Sequence, residues 1–178
     1  FTKLIFIPIL IALFACSSKS VMKSGSFSFE YSYKIDLREK ECDKADAYRE
    51  NYVFSCYDDK NIYERQFLYS EEENCVFTME LIFSDLPEGD DIREYVSALR
   101  ASLMKNDGIY TIQSVIEEKD DSIIFRAAPY KKEIQDNGIH YYRYFLKEDG
   151  VGFAHIAVRE DGDEQYSEAI KMILKTLK

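Results

Sequence analysis

Over residues 27–37 apolar and polar side chains alternate, with Phe27, Phe29, Tyr31, Tyr33, Ile35 and Leu37 on one side and Ser28, Glu30, Ser32, Lys34 and Asp36 on the other. A period of two is that of a strand with one buried face. Cys75, Phe77, Met79, Leu81 and Phe83 repeat it, and less regular strands are expected over 52–57 and 62–69, joined by polar connectors at 58–61 and 70–74. These segments predict a meander. From Asp91 the spacing changes: Ile92, Tyr95, Val96, Leu99 and Leu103 fall on one helical face, with Asp91 and Glu94 placed like a capping box and Gly108 suited to the C-terminal end.

Strands return over 109–117 and 122–128, and again over 139–146 and 151–159, where Lys147-Glu-Asp-Gly150 reads as a hairpin turn. The chain then closes with a helix whose stripe is Tyr166, Ala169, Ile170, Ile173, Leu174 and Leu177. Asp163 and Glu164 precede that stripe and Lys171, Lys175 and Lys178 follow along it, the charge order that suits a helix dipole. The expected class is α+β: a mostly antiparallel sheet of about six to eight strands covered by two main helices.

The N-terminus has a different pattern. Lys3 is followed by the apolar run from Leu4 to Ala15 and then by Cys16. A run of this length is too short to span a bilayer, which takes about 20 residues, and fits the core of an export signal. Leu13-Phe-Ala-Cys16 resembles the bacterial lipobox, in which the cysteine receives diacylglycerol and becomes the first residue. The expected organisation is a signal peptide over 1–15, a lipidated flexible tether over 16–26 rich in serine, and a single domain over 27–178. By resemblance to Gram-negative sorting, Ser17 implies the outer membrane, on its periplasmic side or at the surface.

The order of elements from Cys75 onward is similar to the PsbP-like fold, shared by the photosystem P-subunit, the Ran guanine nucleotide release factor and DcrB-type bacterial lipoproteins. The resemblance rests on the strand CVFTMELIF, the helix DIREYVSALRASLM, the strands TIQSVIEE and SIIFRAA, the hairpin HYYRYFLKEDGVGFAHIAV and the closing ILKTLK. It implies a PsbP-like α/β/α sandwich and a binding or assembly role, fold alone being no guide to chemistry. The chain departs from the family in having no Trp, and its segment 38–50 is longer and more charged than the family's.

Composition narrows the functions. Thirty-three acidic against 23 basic side chains give a formal net charge of −10, with the basic residues scattered among carboxylates. Nucleic-acid binding needs a basic footprint, so it is excluded as a reading. Export would place Cys42, Cys56 and Cys75 where disulfides persist. In a meander Cys56 and Cys75 stand at opposite strand ends, about 15–20 Å apart, which makes Cys42 with Cys75 the candidate pair. Cys42 with Cys56, and three free thiols, remain open. No cysteine spacing suits zinc, and no metal or cofactor is expected.

The two histidines fall in the last hairpin. A turn centred on Glu148-Asp149 sets His140 opposite Ala157 and His155 opposite Tyr142, so that His140, Tyr142, Tyr144, Phe153 and His155 share one face. That face is a candidate ligand patch, with ordinary cross-strand packing the favoured account of it. No nucleophile elbow, phosphate-cradling glycine loop or His-Glu-x-x-His motif occurs. The expected function is a membrane-anchored envelope lipoprotein, non-catalytic, that binds or assembles with a protein partner. The alternatives are a surface lipoprotein holding a host or environmental ligand, and an enzyme with an unrecognised site.

Overall fold

The computed structural model describes residues 19–32, 35–40, 48–49, 52–53, 62–72, 75–85, 94, 97, 110–129, 138–147 and 150–178. The first element is a hairpin of β1 (Lys19–Ser24) and β2 (Phe27–Ser32), antiparallel with Ser24 opposite Phe27. Its two-residue turn places Gly25 at φ 56°, a left-handed backbone that glycine adopts at little steric cost and that matches strand twist. The hairpin corrects the expected tether. The serines of this stretch read as flexible by composition, yet Gly25 serves a tight turn and Met22 packs against the core.

The alternation over 27–37 also outlasts its strand. β2 stops at Ser32, whose carbonyl accepts the Ile35 amide at 3.0 Å, and Ile35 still reaches the interior at 3% exposure. Among the described residues two short strands, β4 (Tyr48–Arg49) and β5 (Tyr52–Val53), pair with each other. β3 (Arg38–Lys40) joins the main sheet, with β6 (Ile62–Glu72), β7 (Cys75–Asp85), β8 (Tyr110–Lys119), β9 (Ser122–Pro129), β10 (Gly138–Lys147) and β11 (Gly150–Arg159).

Among the described residues this antiparallel sheet has seven strands, in the order β3-β6-β7-β11-β10-β9-β8. It is therefore not one meander. β6 and β7 form a hairpin, β8 to β11 form a four-stranded meander, and the two halves join where β7 pairs with β11, with Met79 opposite Ile156. Toward the helix that follows β11 the seam is apolar: Met79, Leu81, Ala154 and Ile156 are all fully buried.

Helix α1 (Glu160–Thr176) follows β11 directly and starts three residues before Asp163, with Glu160 and Asp161 added to the first turn. Ile170, Ile173, Leu174 and Leu177 pack with Phe27 and Phe29 of the hairpin and with Ile139, Tyr141 and Phe145 of β10. Gly152 lies opposite Phe145, and the Phe145 ring occupies the space a Cβ would need there. The half-buried Arg143 donates to the carbonyls of Leu174 and Leu177, satisfying two acceptors at the end of α1. Lys178 exchanges backbone hydrogen bonds with Ser28, at 2.9 and 3.2 Å, so the C-terminus is stitched onto β2.

Of the two expected helices, α1 is the one described in full. In the segment predicted as a helix from Asp91, Glu94 and Ser97 have helical backbone and are exposed, and the rest lies outside the described residues. Both faces of the central strands are buried: Tyr141, Ala154 and Ile156 on the α1 side, and Ile123, Phe125, Ala127, His140 and Ala157 on the other.

Candidate functional site

The side of the sheet away from α1 carries the histidines. β10 and β11 pair with Lys147 opposite Gly150, which sets His140 against Ala157, Tyr142 against His155 and Tyr144 against Phe153. Side chains two apart on a strand share a face, so all five candidate residues stand together. The rings form a ladder. Tyr142 stacks on His155 at 4.7 Å between centroids and 4° between planes, and Tyr144 lies 4.8 Å from Phe153. Phe125 of β9 extends the ladder, stacked 5.0 Å from Tyr142.

His140 Nδ1 and His155 Nε2 are 2.8 Å apart, a hydrogen bond in which one ring donates and the other accepts. His140 is buried, whereas Tyr142, Tyr144, Phe153 and His155 are half-buried. The next position along the row from His155 is Glu80 of β7, followed by Phe67 of β6. Glu80 is 8% exposed, and its Oε1 has no hydrogen bond. Arg65 Nε stands 3.4 Å from that oxygen, an ion pair of two side chains shielded from water. Burial pushes the Glu80 carboxyl above its ordinary value, and the Arg65 charge only partly opposes this.

The arrangement is thus a polar line, His140, His155, Glu80 and Arg65, laid into an aromatic face. Imidazoles are common metal ligands, and two stand together here. Among the described residues, however, no three His, Cys, Asp or Glu side chains gather as a metal-holding group. Glu80 and Arg65 carry no periodicity that sets them apart from the other charges of their strands. Only the β7–β11 pairing brings them beside the histidines.

A second place is open to solvent. Between α1 and strands β8 to β10 lies a cleft of about 490 Å³, lined by Arg126, Tyr141, Asp163, Ser167, Lys171 and Lys175 among others. At its base Asp163 accepts from Arg126 Nη2 at 2.7 Å and from the Tyr141 hydroxyl at 2.6 Å. Burial pushes the Tyr141 hydroxyl up, and the Asp163 charge beside it pushes it further. Burial draws Arg126 down, but Asp163 outweighs it and leaves the guanidinium above its ordinary value. In the sequence Asp163 is only a first-turn acid. The one signal of its partner is Arg126, a lone charge within the apolar run from Ile123 to Ala128.

Cys16, Cys42 and Cys56 lie outside the described residues, as does the expected signal peptide over 1–15. Cys75 opens β7 with its Cα opposite that of Glu72.

No family model matches the sequence, and no curated protein matches it. The structure is similar to the solution structure of cyanobacterial PsbP (CyanoP) from Synechocystis sp. PCC 6803. The TM-score is 0.53 over 93% of this chain and 94% of that one, at 9% identity. The fold is PsbP-like. At that identity the likeness is one of architecture, and it extends well beyond the stretch from Cys75 on which the sequence resemblance rests. Within the PsbP-like sheet the polar line occupies the three central strands and β6, while the cleft lies over β8 to β10.

Proposed function

We propose that the protein is a membrane-anchored lipoprotein of the cell envelope that acts as a non-catalytic binding or assembly accessory. The observation that carries this reading is the lipobox-like Leu13-Phe-Ala-Cys16, closing an apolar run and standing just before a PsbP-like domain. Two acyl chains on Cys16 would hold the domain on a membrane, each buried methylene contributing about 0.8 kcal/mol. Among the described residues no helix is long and apolar enough to cross one. Ser17 after the cysteine favours the outer membrane in a Gram-negative host.

The two candidate places differ in what they offer a partner. In the polar line the imidazoles hydrogen-bond to each other and His140 is buried, so this chemistry serves packing. The cleft is open, carries both signs of charge and includes the hydroxyl of Ser167, which suits the polar groups of an envelope protein.

Palmitate labelling of cells expressing the wild type and Cys16→Ala tests the anchor. Label in the wild-type band that disappears in the variant is expected; label retained in the variant, or absent from both, would overturn it. For the partner, a photo-crosslinking residue at Ser167 should capture an envelope protein that one at Glu118, on the edge strand β8, does not.

A further inference from the structure

The hairpin at the start of the domain changes what lipidation would do. If residues 16–26 were a flexible tether, the domain could float about 35 Å from its lipid. With β1 beginning at Lys19, only Ser17 and Ser18 separate it from Cys16, and three steps of fully extended chain reach about 10 Å. One end of β1 is therefore held near the headgroups, at a distance comparable with a Debye length of about 8 Å in physiological salt.

The side chains presented there suit a lipid surface. On β1 Lys19, Val21 and Lys23 are all exposed and share one face, and Val21, 68% exposed, is the most exposed large apolar side chain among the described residues. Glu30, opposite Val21, takes up part of the charge through an ion pair with Lys19 at 3.1 Å, and Lys23 adds a second cation. The chain as a whole carries a formal net charge of −10, so an anionic membrane repels most of its surface and tolerates this strip.

The hairpin is also fastened to the rest of the protein. Phe27 and Phe29 are buried in the core, and Ser28 is paired with Lys178. The Glu30 amide donates to Thr176 Oγ1 at 2.9 Å, and Glu64 Oε1 accepts the Ser26 amide at 2.8 Å. Whatever orients β1 orients the whole domain.

We infer that the outer face of the first hairpin, Lys19, Val21 and Lys23, docks on the anionic lipid surface that holds Cys16 and fixes the orientation of the domain above it. This rests on the lipid-anchor reading, and the test separates the two. The chain has no Trp, so Val21→Trp provides a single fluorophore at an exposed position. Leu146→Trp provides the control: Leu146 is 47% exposed, shares its sheet face with Tyr144, and lies beside Lys147, which reaches the Ser26 carbonyl at the far end of the hairpin.

Each protein, expressed from the full sequence and extracted from the membrane fraction of the expressing cells, is reconstituted into vesicles of phosphatidylethanolamine and phosphatidylglycerol containing headgroup-spin-labelled lipid. The tryptophan of Val21→Trp should be quenched several-fold more than that of Leu146→Trp. Adding Lys19→Glu and Lys23→Glu, or replacing the vesicles with phosphatidylcholine alone, should remove the difference while flotation with the vesicles persists. Equal quenching at the two positions in protein that still floats would overturn the docking and leave the anchor standing. Protein that does not float with the vesicles would overturn both.

Discussion

The two sides of the seven-stranded sheet are buried by different chemistry. Toward α1 the contacts are Ile170, Ile173 and Leu174 against Tyr141, Ala154, Ile156 and Leu81, an interior in which shape and apolar area carry the stability. Away from α1 the same strands bury His140 and Glu80 among aromatic rings, and stability there depends on each polar group keeping its partner. A sheet with period-two side chains sets both environments one residue apart: Tyr141 faces the helix, and its neighbours His140 and Tyr142 face the polar line. The difference teaches that substitutions among the apolar contacts with α1 act through volume, while those in the polar line act through what they leave unmatched.

The largest expected effect is on the polar side. Glu80→Ala takes away the carboxylate facing the shielded Arg65 and should cost about 3–5 kcal/mol in urea denaturation. Arg65→Leu combined with Glu80→Met should return to within about 1 kcal/mol of the wild type or exceed it, because it removes the desolvated charges altogether. A single substitution as mild as the double one would break the comparison. On the α1 side, Ile170→Ala should cost about 2–5 kcal/mol through the cavity it leaves.

The imidazole pair comes next. His155→Phe removes the partner of His140 Nδ1 and should cost about 1–3 kcal/mol, most of it recovered when His140→Phe is added. The smallest effect belongs to the hairpin. Glu64→Gln removes a carboxylate that accepts the Ser26 amide, and should cost no more than about 1 kcal/mol.

Acid should separate Glu64 from Glu80 by sign. Burial raises the Glu64 carboxyl, but its hydrogen bonds from Ser26 and Gln66 and the charge of Lys147 lower it further, so its folded value lies below 4.5. Its stabilisation is complete above about 4.5 and fades as the pH falls through the folded value. Glu80 is displaced the other way, so its penalty is complete above its raised folded value and fades as the pH falls toward 4.5. Amide protection factors at Gly25 and Ser26, corrected for the intrinsic exchange rate at each pH, should therefore fall in acid before those along β7 do.

The strands that were legible in the sequence are those whose pairing is local. The last hairpin follows from its turn and from the alternation on either side of it, and that places the five ring-bearing residues together without further information. The join of β7 to β11 was not legible, since Leu81 and Ala154 are far apart in the chain and neither says which apolar strand it will meet. Glu80 and Arg65 were missed for the same reason, and Asp163 with Arg126 and Tyr141 because the contact forms only when α1 lies back across β9 and β10. Composition misled at residues 19–26, where serines suggested a tether and one glycine turn makes a hairpin.

The central claim is that Cys16 is the lipidated first residue of the protein in its membrane. Mass spectrometry of the N-terminal peptide of protein extracted from the membrane fraction tests it most directly. The account predicts a peptide beginning at Cys16 with diacylglycerol on its sulfur and nothing preceding it. A peptide in which Leu13-Phe-Ala runs unbroken into an unmodified Cys16 would contradict it.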